Sequence, residues 1–254
     1  MNYASFGRRN TDWLIQHADQ PCLLISDPPT ADLFLQHKQG RIFDPLKHSF
    51  NPLANMNYAR ACDFVEIMRY LFPAGHTTLT REEADHLMLE ALLDEPTTLV
   101  GLIAGSTDPG ARKAQRLIER LTLSPVLRSV LTGKRQFDFS GTVVVPLDRT
   151  KLGNFDCLAL ALFLIGQYQG QIVIDDFVFY GRPIHVSLIQ QHRLTCHVRR
   201  LGALAEGMAE DLLQIEHKSA GGTTHADAVT LADYMCPFQP GQNDYIKFIE
   251  EAMA

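Results

Sequence analysis

The segment QIVIDDF, residues 171–177, places a buried-type strand directly before two carboxylates. Its apolar core is continuous rather than alternating, and such runs are typical of strands that are covered on both faces of a parallel sheet. Asp175 and Asp176 follow where the apolar run ends. In α/β proteins that handle phosphates, acidic side chains at this edge of the sheet hold magnesium. The segment therefore predicts a parallel sheet with a candidate magnesium site at Asp175.

Further buried-type strands alternate with helical segments in the rest of the chain. Residues 55–133 show helical spacing almost throughout, and residues 195–209 read as an amphipathic helix. The alternation predicts an α/β fold with a mainly parallel sheet and helices on both faces. The block 55–133 is then an all-helical insertion into a core of residues 1–54 and 134–254. The predicted strands are PCLLISD (21–27), GTVVVPL (141–147), QIVIDDF, HVSLIQQ (185–191) and LLQIE (212–216), with RIFD (41–44) as a possible short strand.

Capping residues mark where the helices begin. Thr80 and Glu83 have the spacing of a capping box, in which two side chains satisfy each other's backbone amides. Pro109 and Pro125 are suited to the first turn of a helix, where no amide hydrogen is needed. Asn154 is predicted to cap the apolar helix that follows the GTVVVPL strand.

The composition is that of a globular chain with a substantial core, since 46% of its 254 residues are apolar. A net charge of −6 argues against nucleic-acid binding over the whole surface but leaves room for a local DNA contact. Five cysteines without a C-x-x-C pair predict buried thiols in a reducing compartment. No apolar stretch approaches the roughly 20 residues of a membrane span, and the N-terminus lacks the apolar core of a signal peptide. We therefore expect a cytoplasmic protein without a membrane segment.

The order of these segments resembles the additional-strand P-loop ATPases, in particular the HerA–FtsK superfamily with its coupling-protein, conjugation and packaging branches. The resemblance runs, with gaps, from about residue 23 to residue 234. It implies a RecA-like sheet, magnesium–ATP as cofactor, and a ring-shaped oligomer that moves DNA. The phrases that carry it are SDPPTADLF (26–34), FDPLKHSFNPL (43–53), SPVLRSVLTG (124–133), FDFSGTVVVPLDRTKLG (137–153), IVIDDF (172–177), SLIQQHRL (187–194) and ADAVTLADY (226–234).

The resemblance gives each carboxylate of the Asp-Asp pair a role. It implies that Asp175 holds the water shell of the magnesium ion. Asp176 stands where the family usually has a glutamate, which orients the attacking water. Aspartate is one methylene shorter, so its reach toward that water is reduced. The alternative interpretation is that the pair only ends a buried strand and caps the following turn.

The resemblance also names residues that would respond to the γ-phosphate. Gln190 or Gln191 would sense it from the end of the HVSLIQQ strand, and an ordinary polar strand end is the alternative. Arg128 is the candidate arginine supplied to a neighbouring subunit's site. Arg135 and Arg149 suit the same electrostatic purpose.

The phosphate loop is where the chain departs from the family pattern, because no Gly-rich loop ending in Gly-Lys-Ser/Thr is present. The candidate segment is FGRRNT, in which only Gly7 supplies backbone freedom and Asn10 stands in place of the lysine. Arg8 and Arg9 offer charge to a phosphate, with a solvated pair as the alternative. Thr11 offers a hydroxyl to magnesium.

These features predict a HerA–FtsK-type nucleotide-binding protein of DNA transfer or packaging, with weak or lost ATP hydrolysis. The alternative is a catalytically inactive pseudo-ATPase that acts as a structural or adaptor subunit. A third possibility is an ATPase whose first strand and phosphate loop precede Met1.

Overall fold

The computed structural model describes residues 3–6, 11–54, 57–72, 80, 83–84, 99, 109–131, 137–180 and 193–198. By internal contacts the described residues divide into two compact units. The first unit takes in those of 1–39 and 170–254, and the second unit takes in those of 40–169. The division into a core and an insertion at 55–133 stays a prediction.

The described elements are named in chain order. They are β1 (Tyr3–Phe6), α1 (Thr11–Gln16), β2 (Cys22–Ser26), α2 (Pro28–His37), β3 (Arg41–Ile42), α3 (Tyr58–Leu71), α4 (Pro109–Leu121), α5 (Pro125–Leu131), β4 (Val143–Pro146), α6 (Arg149–Leu152), α7 (Asn154–Gln167), β5 (Gln171–Asp175), α8 (Phe177–Tyr180) and β6 (Arg193–Val198).

The first unit contains a parallel sheet whose strands lie in the order β1-β6-β5-β2. Each neighbouring pair in this order is parallel. All five residues of β2 and all five of β5 are buried, which is the burial that their continuous apolar sequences predict. The predicted α/β class and the parallel pairing are therefore confirmed.

The strand β6 replaces the beginning of a predicted helix. The helix expected at residues 195–209 is wrong for residues 195–198, which belong to β6 and pair with β1 on one side and β5 on the other. Leu194, Thr195 and Cys196 are completely buried, so three successive side chains point into covered surroundings. Residues 193–198 alternate polar and apolar side chains, which is the pattern of a strand, and the helix prediction missed it. The predicted strands 185–191 and 212–216 lie outside the described residues.

The second unit combines a short parallel pair with packed helices. Strands β3 and β4 are paired in parallel, and Gly40 precedes β3 where a Cβ atom would lie 3.1 Å from Val144 Cγ2. Helix α7 is the apolar centre of this unit and contacts both α3 and α5. The rings of Phe64 and Phe163 lie 6.1 Å apart where α3 meets α7. Among the described residues of 55–133, all regular structure is helical.

The helix starts follow the predicted caps with one exception. The Thr80 amide donates to Glu83 Oε2 at 2.7 Å and the Glu83 amide donates to Thr80 Oγ1 at 3.2 Å, so the capping box is confirmed. Pro109 and Pro125 each begin a helix, as predicted. The cap at Asn154 is wrong, because α7 already begins at that residue. The residue before it is Gly153, whose φ of +82° favours glycine and which has no capping side chain.

Aromatic packing anchors the irregular segment around β3. The Phe43 ring lies 5.8 Å from that of Phe50, 5.2 Å from that of Phe137 and 5.9 Å from that of Phe139. Ring contacts and backbone hydrogen bonds, such as that from the Phe50 amide to the Val130 carbonyl oxygen at 2.8 Å, together fix the segment after β3. No helix in the described part of the chain is long and apolar enough to cross a membrane.

Candidate functional site

The carboxyl ends of four parallel strands meet at one edge of the sheet in the first unit. The register aligns Asp175 of β5 with His197 of β6, and Ile25 of β2 with Ile174 of β5. Strands β1 and β6 end level with each other. Ligands of α/β proteins bind outside this edge of the sheet. The end of β5 therefore lies where the sequence predicts a site.

A single threonine connects two carboxylates at this edge. Asp175 is 2% exposed, and its Oδ2 accepts a hydrogen bond of 2.6 Å from Oγ1 of Thr30. Thr30 is buried in the first turn of α2, and its amide donates to Oδ1 of Asp27 at 3.1 Å. Asp27 is thus the N-cap of α2. Thr30 donates one hydrogen bond to Asp27 from its backbone amide and a second to Asp175 from its side-chain hydroxyl. This arrangement fixes the end of β5 to the beginning of α2.

Sequence reasoning missed Thr30 as a site residue. The capping role of Asp27 was readable from its position before Pro28 and Pro29, since an N-cap aspartate accepts the amide three residues later. The second bond of Thr30 joins residues 145 positions apart. No local pattern marks a contact over that separation.

Asp176 adopts a left-handed backbone in the turn between β5 and α8. Its φ is +86°, and its carbonyl oxygen accepts hydrogen bonds from the amides of Phe179 at 3.1 Å and Tyr180 at 3.2 Å. Aspartate is among the few residues other than glycine that tolerate this region. The turn directs the chain away from the sheet immediately after Asp175.

The candidate phosphate loop is described only at its two ends. Strand β1 ends at Phe6 and helix α1 begins at Thr11, which is partly exposed. Helix α1 contacts both β5 and β6, so its first residue belongs to the same unit as Asp175. The residues that were assigned to phosphate contact lie outside the described residues. They are Gly7, Arg8, Arg9 and Asn10.

A buried polar network fixes the other end of α1. The carbonyl oxygen of His17 accepts hydrogen bonds from Nε2 of Gln171 at 3.0 Å and from Oγ1 of Thr195 at 3.1 Å. Nε2 of Gln171 also donates to Thr195 Oγ1 at 2.7 Å. Gln171 begins β5 and Thr195 lies in β6, so both strands hold the same helix. This network, which sequence reasoning also missed, sets where α1 lies against the sheet.

Of the predicted residues Gln190, Gln191 and Arg128, only Arg128 is among the described residues. Gln190 and Gln191 lie outside the described residues, and the strand that pairs with β5 begins after them, at Arg193. Their sensing role stays a prediction. Arg128 is exposed on α5 in the second unit, where its Nε donates to the carbonyl oxygen of Thr122 at 2.8 Å. Its role in a neighbouring subunit also stays a prediction.

The donor atoms at the end of β5 suit a magnesium ion that is shared with phosphate. Asp27 and Asp175 supply carboxylate oxygens, and Thr30 supplies a hydroxyl. Magnesium is usually bound by one or two carboxylates, with water and phosphate oxygens completing its octahedron. Within the described ranges, no group of three or more His, Cys, Asp or Glu side chains is placed to hold a metal.

Comparison of the chain with protein-family models, curated proteins and solved structures finds no match in any of the three.

Proposed function

We propose that this chain is a P-loop NTPase-like protein of the HerA–FtsK type that binds magnesium–ATP weakly and hydrolyses it slowly or not at all. The strand order β1-β6-β5-β2 is the observation that supports it best. In the additional-strand ATPases that the sequence resembles, one further strand separates the phosphate-loop strand from the strand that ends in the magnesium-binding aspartate. Here β6 separates β1, which precedes Gly7, from β5, which ends in Asp175.

The proposed roles follow from the chemistry of each residue. A bound magnesium ion neutralises charge on the phosphate oxygens. Asp175 holds the ion's water shell with a carboxylate that is already fixed by Thr30. Thr11 offers its hydroxyl to the same ion from the start of α1. Arg8 or Arg9 supplies positive charge to the phosphates.

Slow ATP turnover is expected because the FGRRNT segment and the turn after β5 lack groups that the family uses in catalysis. Asn10 carries no charge where the family has a lysine, and Gly7 is the only glycine of the FGRRNT segment. The carboxylate of Asp176 is one methylene shorter than that of the family's glutamate. Losing one catalytic group that bonds the transition state typically costs about 100- to 1000-fold in rate. Several such losses together leave binding as the main activity.

In the cell, this function implies a cytoplasmic ring of subunits that acts in DNA transfer or packaging. The RecA-like core and the helical insertion of residues 55–133 belong to the same proposal. Binding of ATP between subunits would bring Arg128 of one subunit to the site of the next.

Nucleotide titration tests the proposal. A fluorescent ATP analogue should bind more tightly with magnesium than with EDTA, and Asp175→Asn should abolish that difference because it removes the charge next to the ion. Asp148→Asn is the matched control, because Oδ1 of Asp148 also accepts a threonine hydroxyl at 2.6 Å, from Thr150, but on the exposed surface of the second unit. Equal binding with and without magnesium in the wild-type chain would refute the proposal.

Turnover measurements test the intersubunit arginine separately. If the assembled protein hydrolyses ATP, Arg128→Ala should lower turnover by about 1,000-fold or more while nucleotide still binds, as removal of an arginine finger does. Unchanged turnover would remove Arg128 from the site.

The second candidate function is a pseudo-ATPase that serves as a structural or adaptor subunit. The substitution of asparagine at position 10 for the phosphate-binding lysine favours it. The same titration distinguishes the two functions, because an adaptor without nucleotide shows no binding at millimolar ATP.

A further inference from the structure

We infer that Thr30 is a positioning residue that orients the carboxylate of Asp175 for magnesium–nucleotide binding. The inference rests on the proposed function and adds to it a residue outside the phosphate loop. The hydroxyl of Thr30 donates to Oδ2 of Asp175 at 2.6 Å, and both residues are buried. A donor at this distance from one oxygen sets the rotation of the carboxylate before an ion arrives.

Thr30 is itself held rigidly. Its amide bonds Oδ1 of Asp27 at 3.1 Å, and the amide of Ala31 bonds the carbonyl oxygen of Asp27 at 3.1 Å. Pro28 and Pro29 precede it with fixed φ angles. Helix α2 also contacts β2, which pairs with β5. The hydroxyl is therefore carried on a fixed turn, as expected of a group that orients a metal-binding side chain.

A merely structural tie is the competing explanation. Burying a carboxylate costs free energy that a hydroxyl donor offsets only in part, and an apolar pair of similar shape is often at least as stable. A purely structural tie between α2 and β5 therefore does not need a carboxyl group. The position of Asp175 at the ligand-binding edge of the sheet favours the positioning role.

The experiment compares the affinity of the full chain for a fluorescent ATP analogue with magnesium and with EDTA. Thr30→Val keeps the shape and removes the hydroxyl, so the affinity with magnesium should fall about 10-fold, the lower end of what loss of an outer-shell partner costs. The affinity with EDTA should not change. Thr30→Ser keeps the hydroxyl and should restore the response to magnesium.

Thr150→Val is the matched control, since it breaks a threonine–aspartate bond of the same length, 2.6 Å, in the second unit. It should leave both affinities as in the wild type. If Thr30→Val fails to fold by circular dichroism, Thr30→Ala is measured in the same way.

The positioning role of Thr30 and the proposed function are contradicted by different results. A wild-type response to magnesium that Thr30→Val retains in full would overturn the positioning role and leave the proposed function standing. A wild-type chain that does not respond to magnesium would overturn both.

Discussion

The left-handed backbone at residue 176 predicts that glycine there is more stabilising than alanine, which is the reverse of their usual order in a helix. Asp176 has a φ of +86°. A residue with a Cβ atom pays about 1–2 kcal/mol in that region, whereas glycine enters it freely but loses about 0.5–1 kcal/mol more chain entropy on folding. The difference predicts that Asp176→Gly is more stable than Asp176→Ala by about 0.75 kcal/mol, the midpoint of a range of about 0 to 1.5 kcal/mol. Because both variants lack the carboxylate, the comparison isolates the backbone.

Urea unfolding followed by circular dichroism measures this difference, provided that the slopes of the two variants agree. Asp32 supplies the matched control, since it is exposed within α2, where the backbone is right-handed. There the order should reverse, with Asp32→Ala more stable than Asp32→Gly by about 1 kcal/mol. If alanine equals or exceeds glycine at position 176, the turn between β5 and α8 is not left-handed and the reasoning is wrong.

Two further predictions concern titrating groups in the second unit. The hydrogen bond of Arg41 to Asp138, at 2.8 Å, together with bonds from Ser140, lowers the pKa of Asp138 from 3.8 to about 2. Arg41→Gln should therefore raise the pKa of Asp138 toward 3.8, as measured by NMR titration. The stabilisation from the pair should be complete above about pH 4 and lost as the pH falls toward 2. A pKa that stays near 2 in the variant would show that Arg41 is not the main cause of the shift. Burial raises the pKa of the Cys157 thiol to about 12, so that at pH 8 only about one thiol in ten thousand is ionised. Iodoacetamide should modify Cys157 in urea but not in the native protein, as read by mass spectrometry, and equal labelling in the two states would contradict its burial.

Strands β2 and β5 were predicted correctly because their own residues indicate that they are buried. Strands β2 and β5 are covered on both faces, so every side chain in their centres must be apolar. The capping box of Thr80 and Glu83 was equally readable, because both of its bonds lie within one helical turn. In each case the interaction that determines the structure, burial or the capping hydrogen bonds, involves the same few residues that show the sequence pattern.

The beginning of β6 was misassigned although its local pattern is that of a strand. From Arg193 to Val198 polar and apolar residues alternate strictly, and the pairing with β1 and β5 agrees with that pattern. The candidate site was predicted only in part, because Asp175 was found from its strand but Thr30 lies 145 positions away from it. Propensity describes single segments, whereas a site is assembled from several.

The backbone conformation at residue 176 and its proposed catalytic role favour different side chains. In the family that the sequence resembles, glutamate orients the attacking water from this position. Aspartate and asparagine tolerate a left-handed backbone because a short polar side chain can bond locally, and glutamate lacks that advantage. With φ at +86°, the turn therefore favours the shorter acid, while the chemistry favours the longer one. Because one residue cannot satisfy both demands, the turn would make hydrolysis slow if the chain has the proposed function.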